Sequence, residues 1–434
     1  MEETLFHRER KKIRPTHITP LKDLTSIMAP EQLLSDGKRQ ALLLKITKSC
    51  AFDPLRFDNL CLSLIHNVAN HCQRLPETTN SYYSLPGGLI DHALNRTEAA
   101  VHLLRQYMVQ SDDADLSEEQ KLWLYALFSA GLLQGIGKLQ VDYRIELFGP
   151  NGQRLKQWQP LLETMGFIGG YYRYEFHGNH DDDFRRRLNL LLARQLMPAH
   201  GFAWIASNPQ VLAVWLALLN EDAGSAGTLG AILDRADAIA IQRSLLEPVD
   251  KSMSAQSGRP NRIGTFIDAV PEPSAEQERL MGAEFIKWVT EALAKGQFVI
   301  NQPPFILVAG GMLMTPEVFK FFARAHPEYK NWLAIQKGFL GLGLHVKGAD
   351  GTIISSVEHD KKVLKGIVVD KYKALMPNDV RVENRNTNHV AHISAVELSH
   401  QATALSLDHL SSSGQWGPVK DVSSALSIGS KFGG

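Results

Sequence analysis

The sequence predicts a mainly α protein: a large helical domain followed by a small α+β domain. Three observations predict it. Between residues 30 and 248, apolar residues recur at i, i+3, i+4 and i+7 in one segment after another, the spacing of a helix face. Residues 249–280 are rich in Ser, Pro and charge and poor in large apolar side chains, the composition of a linker. Beyond them, helical segments give way to short apolar runs broken by Gly, as in LHVKGADGTIISSV, where the period becomes that of a hairpin.

Composition sets the bounds. The 434 residues are enough for two or three domains, and 44% hydrophobic with 21% charged residues is ordinary for a globular chain. Lys plus Arg and Asp plus Glu both number 46. The chain as a whole therefore has no pull toward nucleic acid or an anionic membrane, and any such binding must come from a local patch. MEETLFHRERKKIRP is charged from its second residue and has no apolar stretch, which argues against a signal peptide. No run of eighteen apolar residues occurs, so no membrane span and a cytoplasmic location are expected. Cys50, Cys61 and Cys72 are odd in number and form no CxxC pair, which points to free thiols in a reducing compartment.

Residues 1–29 read as an extended arm with Pro15, Pro20 and a basic cluster from Arg8 to Arg14. Pro30 suits the first position of a helix, and Asp53-Pro54 separates two helices and can cap the second. Residues 75–88, LPETTNSYYSLPGG, read as a loop, followed by the helix LIDHALNRTEAAVHLLRQYMV. Ser117 is an N-cap ahead of Glu119 and Gln120. LWLYALFSAGLLQ is apolar almost all round and should be central to the core, ending at GIGK. VDYRIELF, 141–148, could be a short strand, and three more helices complete an all-α domain over 30–248. In the second domain, 281–375, helices followed by a hairpin with Gly-Ala-Asp-Gly at its tip suit a winged helix; KKVLKGIVV can add a strand. Residues 376–434 read as a mostly disordered tail.

With these pieces in order, the chain resembles the TraI/MobH-type relaxase family of integrating conjugative elements over roughly residues 20–370. Five stretches carry the resemblance: LPETTNSYYSLPGGLIDHALNRTEAA, LLQGIGK, AILDRADAIA, FIKWVTEALAKGQFVIN and MLMTPEVF with GFLGLGLHV. The resemblance implies an HD-hydrolase-like helical domain and a C-terminal winged-helix-like domain. It also implies a metal site of the H…HD…D kind, and there this sequence departs from the pattern. The family's His-His pair falls on or beside Tyr82 and Tyr83, and its HD doublet falls on Gln134 and Gly135. His92 and Asp237 remain, with Asp234 one turn away. A metal that activates water needs several His or carboxylate ligands, whereas Gln offers a weak neutral oxygen and Gly offers nothing. No cofactor is therefore expected, with a divalent metal (Mn, Fe or Mg) as the alternative.

His177 and His180, ahead of three Asp in FHGNHDDDF, could supply replacement metal ligands or form a solvated acidic loop. Tyr82 or Tyr83 could attack a DNA phosphate, or pack beneath the glycine loop. The three-histidine motif that such chemistry uses is missing, since His389 and His392 stand three apart. His66 and His71, five apart, point to different helix faces. Gly87-Gly88 could cradle a phosphate or make a tight turn. Lys347, Lys361, Lys362, Lys365, Lys371 and Lys373 make a basic wing that could contact DNA phosphates, or a solvated face with Glu358, Asp360 and Asp370 interleaved. Arg259, Arg262, Lys11, Lys12 and Arg14 could extend that track.

The expectation from these readings is a DNA-associated protein of the conjugative-transfer machinery with a degenerate hydrolytic centre, acting by binding DNA or conjugation proteins. A metal-dependent phosphoesterase or nicking enzyme using His92, His177 or His180, and Asp237 is the second reading. A regulatory or defence-related interaction module is the third.

Overall fold

Helices begin where the sequence puts capping chemistry. In this computed structural model Pro30 opens α1 (Pro30–Leu34), where its missing N–H leaves no bond unmade. Asp36 caps α2 (Gly37–Cys50). Asp53 accepts from the Arg56 amide at 2.9 Å, with Pro54 leading α3 (Pro54–Arg56). A π-helical turn, Phe57–Leu62, carries α3 into α4 (Ser63–Cys72). Next comes α5 (Gly88–Met108). Ser117 and Gln120 close a reciprocal capping box at 3.2 and 2.9 Å ahead of α6 (Glu118–Leu133). Described are residues 18–108, 116–167, 169–177, 181–255, 275–308, 310–329, 331–347, 351–359, 362–384, 387 and 389–398.

Beyond α6 lie α7 (Lys138–Val141), α8 (Asp182–Leu196), α9 (Ala199–Ala206), α10 (Pro209–Leu219) and α11 (Ala223–Ala255), the last broken at Gly227. The first core gathers around α6, which is buried on every side, as its all-round apolar sequence requires. The stretch Glu118–Val141 is long and apolar enough to cross a membrane, yet most of it lies inside the fold.

The domain is not all-α. Four antiparallel strands, β1 (Thr25–Ser26), β2 (Tyr143–Phe148), β3 (Arg154–Gln157) and β4 (Tyr171–Phe176), pair in the order β1-β4-β2-β3. Only β2 was expected. Tyr143, Ile145 and Leu147 alternate into the core while Arg144 and Glu146 face outward, and Tyr172 of β4 faces inward opposite Leu147. The aromatic stretch YYRYEF, read from sequence as loop, supplies the partner strand. The end of the N-terminal arm joins this sheet through Thr25 and Ser26.

The second domain contains α12 (Ala275–Ala294), β5 (Phe305–Val308), β6 (Gly311–Met314), α13 (Glu317–Ala325), α14 (Trp332–Leu340), β7 (Ile354–His359) and β8 (Lys362–Val369). Its sheet runs β5-β6-β8-β7. The hairpin turns later than the sequence suggested. β7 and β8 pair from Ile354↔Ile367 to His359↔Lys362, so the hairpin closes between His359 and Lys362 and its first strand starts only after the Gly-Ala-Asp-Gly stretch. KVLKGIVV is the hairpin's second strand rather than an addition to it. Helices α12 and α14 cross closely: a Cβ at Gly282 would stand 2.5 Å from the Gly338 carbonyl.

The expected tail also needs correction as far as it is described. β9 (Asp379–Glu383) and β10 (Val390–Ser394) pair with each other, and Met376, Val380 and Leu398 are buried in the second core. Alternation in DVRVE puts Val380 and Val382 on one face. Residues 399–434 lie outside the described residues. So does 256–274, the middle of the expected linker, whose edges are the ends of α11 and α12.

The two domains share a seam. Ile241 and Leu245 of α11 belong to the second core, although the same helix feeds Ile232, Leu233 and Ala236 to the first. Arg235 crosses to the Met376 carbonyl at 3.0 Å and to Asn378 at 3.1 Å. From the 75–88 loop, the Ser81 hydroxyl donates to the Leu342 carbonyl, and Tyr82 packs against the second core.

Candidate functional site

Helix α5 enters the cleft through the glycine loop. A Cβ on Gly88 would lie 1.8 Å from the Tyr83 carbonyl, and one on Gly87 would meet the Arg39 guanidinium. Arg39 itself binds Asp91 at 2.7 Å and the Leu33 carbonyl at 2.6 Å. The glycine pair is thus a tight turn packed on its own loop, and the phosphate-cradle reading fails.

One turn into α5, buried His92 stands between two carboxylates. Its Nδ1 is 3.3 Å from Glu77 Oε1, and its Nε2 is 3.0 Å from Asp237 Oδ1 of α11. Tyr83 stacks on the ring with centroids 5.0 Å apart, and Tyr82 meets it edge-on at 5.6 Å. Arg96, one turn further along α5, completes the set. Its guanidinium reaches Asp237 Oδ1 at 3.1 Å, the Gly131 carbonyl at 2.8 Å and the Gln134 carbonyl at 2.6 Å. Lys138 donates to Glu77. Buried Glu77 and half-buried Asp237 each have their own cation, which is what removing an ion from water demands.

The electrostatics follow the contacts. Burial pushes the Glu77 carboxyl up, but Lys138 and His92 outweigh it and hold the group at about 2. For Asp237, burial again pushes up, and His92, Arg96 and Lys371 together hold it well below the usual carboxylate range.

The stretch LLQGIGK shapes this floor. Gln134 caps α6 with extended backbone and turns its side-chain amide away to the Leu218 carbonyl at 3.2 Å. Gly135 has φ +76, the left-handed region, with open space around the position a Cβ would take. The Gly137 amide donates to Asn189 at 2.7 Å. Neither Gln134 nor Gly135 directs a side chain at His92. A cavity of about 10 Å³, room for about one water, is lined by Glu77, Arg96, Gln134, Gly135 and Lys138 among others.

A divalent metal does not fit these donors. The two ring nitrogens of His92 face carboxylates on opposite edges, so the three groups diverge from any common point. Both acids are already neutralised by Arg96 and Lys138. Among the described residues, no group of three or more His, Cys, Asp or Glu side chains could hold a metal ion. His177 is exposed at the end of β4, where its amide donates to the Asp142 carbonyl at 2.8 Å, and it takes no part in the His92 cluster. His180 lies outside the described residues.

The tyrosines are held rather than poised. Tyr83, at φ +47, donates its hydroxyl to the Ala240 carbonyl at 3.0 Å and its amide to the Ser244 hydroxyl at 2.9 Å. Burial pushes both Tyr82 and Tyr83 hydroxyls above their ordinary range, away from the phenolate a nucleophile needs.

The lysines divide into two groups. Lys347, Lys362 and Lys365 are exposed on or beside the hairpin. Lys371 and Lys373 are not on the wing; they turn toward α11. Lys373 binds Asp234 at 2.8 Å. The Tyr82 hydroxyl and Asp237 hold the Lys371 ammonium above its usual range. Lys361, Arg259, Arg262, Lys11, Lys12 and Arg14 lie outside the described residues. Sequence reasoning missed Glu77, Arg96 and Lys138. The position of Arg96 four residues after His92, on the same helix face, was the available signal.

Fold and site together define a two-domain protein: a mainly helical domain whose cleft is filled by ion pairs, and a small α+β domain docked on its last helix. The TraI_2 family model, described as "Putative helicase", matches residues 25–269, more than half of the chain. A second model, described as "Putative conjugal transfer nickase/helicase TraI C-term", matches residues 280–390. The chain belongs to this TraI-type conjugative-transfer family. No curated protein matches it.

Proposed function

We propose that the protein is a DNA-associated component of the conjugative-transfer machinery that works by binding rather than hydrolysis. The helical domain is of the HD type with its centre replaced by the His92–Glu77–Asp237 network, and it takes no metal. The C-terminal domain acts as a winged helix that contacts DNA phosphates or conjugation proteins. One observation carries the binding reading: the β7–β8 hairpin holds Lys362 and Lys365 exposed, beside Lys347. The order of elements supports it, with α12, the β5–β6 pair, α13, α14, β7 and β8 in sequence and β6-β8-β7 adjacent in the sheet.

The test is fluorescence anisotropy of the full chain with a labelled 30-base-pair duplex over a series of salt concentrations. Binding should weaken steeply with salt. Lys362→Glu with Lys365→Glu should weaken it further and flatten the slope of log K against log salt by about 1.8. Affinity that ignores both salt and the double substitution would sink the reading.

A further inference from the structure

On α13, Glu317, Lys320, Phe321 and Arg324 share one exposed face at spacings of three and four residues. Phe321 is 39% exposed, unusual for a ring in a helix whose Val318, Phe319 and Phe322 are all buried. Two half-buried aromatics extend the surface. Phe298, after α12, lies 5.7 Å from Phe321, and Trp332 opens α14. Each end carries a cation over a ring: Lys320 Nζ is 5.4 Å from the Trp332 ring centre, and the Arg324 guanidinium is 5.8 Å from that of Phe321. No carboxylate forms an ion pair with either cation among the described residues; Glu317 is the acid sharing their face.

We propose that Phe321 and Trp332, with Lys320 and Arg324, form a stacking platform for single-stranded nucleic acid on the face of α13. The chemistry selects the partner. An exposed ring stacks on a base only where the base is unpaired and free to splay, and such stacking tolerates any sequence. Lys320 and Arg324 sit on flexible stems. They can swing from ring to phosphate when a base takes the ring face, or in the case of Arg324 stack on the base itself. A duplex offers phosphates but no free base faces, so it uses the hairpin lysines and gains little here. The inference rests on the reading that the protein works on nucleic acid, but it uses different residues.

The test uses the full chain with a labelled dT 12-mer, a duplex and heparin as probes. Phe321→Ala removes an exposed ring and should leave the thermal melt in place. It should weaken dT 12-mer binding roughly 5- to 100-fold and leave duplex binding unchanged. Arg324→Gln should flatten the salt dependence for the 12-mer by about 0.7. The 12-mer should also quench tryptophan fluorescence, and Trp332→Phe should remove the quenching component that Trp332 contributes. Unchanged 12-mer affinity in Phe321→Ala overturns the platform, as does heparin binding that falls in parallel. Duplex binding that responds to Lys362 and Lys365 while the 12-mer does not bind overturns the platform alone. Binding of neither nucleic acid overturns the functional reading as well.

Discussion

Arg96 and Asp237 meet across the helical cleft, Nη1 to Oδ1 at 3.1 Å, and tie α5 to α11. The same guanidinium holds two carbonyls at the end of α6. One side chain thus pins three helices at the place where the family resemblance implies a metal. A metal would draw its ligands together by its charge; here the charge is part of the chain.

Removing that charge should be costly. Arg96→Met keeps much of the volume but leaves Asp237 without one of its cations and two carbonyls without donors. Breaking one side of a fully buried pair costs about 3–5 kcal/mol, and the partial exposure of the Asp237 side chain puts the loss here at or below the lower figure. Urea unfolding should register this as a lower midpoint at unchanged slope. A midpoint equal to that of the natural chain would show that the guanidinium is dispensable.

Metal content should follow the same logic. Purified natural protein should carry no stoichiometric Mn, Fe or Mg by elemental analysis. Gln134→His with Gly135→Asp should still carry none, because Arg96 continues to hold Asp237. The doublet should gain metal only when Arg96→Ser is added. Asp at 135 is a reasonable replacement, since the position has open space and Asp tolerates the left-handed region better than most residues. Stoichiometric metal in the natural protein, lost on His92→Ala, would instead favour a rearranged hydrolytic centre.

Acid should unlock the cleft. The Glu77 carboxyl is held at about 2 and Asp237 also lies below its ordinary value, so both are depressed in the folded state. Their stabilisation is complete above the unfolded carboxylate values, near pH 4 to 4.5, and is lost as pH falls through the folded values. The Glu77 share is on the order of 3 kcal/mol. Thermal melts between pH 6 and 2.5 should drop steeply at the acid end for the natural protein. Glu77→Gln should start lower and fall less. Parallel profiles would remove Glu77 from the account.

Tyrosine chemistry is a further point of decision. Tyr83→Phe loses the bond to the Ala240 carbonyl and should cost about 1 kcal/mol. Tyr82→Phe should cost less. Neither change should affect nucleic acid binding, and no covalent protein–DNA adduct should form with a single-stranded oligonucleotide in any divalent metal. An adduct abolished by either substitution would restore the nucleophile.

The parts legible in the sequence were those written in local patterns. Pro30, Asp53 and Ser117 mark helix starts because capping is decided within a few residues. The all-round apolar run of α6 announces its own burial. β4 was missed because YYRYEF pairs with a strand some 30 residues away and its alternation is masked by partly exposed aromatics. The position of the hairpin tip depended on register, which Ile354 and Ile367 set across the ladder and no local turn signal reveals. His92 and Asp237 stand out in the sequence as what remains of the ligand set, but nothing local announces the cations that neutralise the cleft. Arg96, Lys138 and Glu77 come together only through the crossing of α5, α6 and the 75–88 loop, a relation with no sequence spacing of its own. Lys371 reads as part of a basic run and becomes a cleft residue only when the second domain docks.

Helix α11 gives Ile232 and Leu233 to one core and Ile241 and Leu245 to the other. It is in effect a shared beam, and the two halves of the protein cannot be parted at the boundary their sequences suggest. A cut within 256–274 would leave the C-terminal piece with an empty hydrophobic socket where Ile241 and Leu245 had been. The N-terminal piece would carry those side chains bare to water. Each fragment would then seek a substitute for the other, so the severed halves should reassociate or aggregate rather than persist as two independent modules.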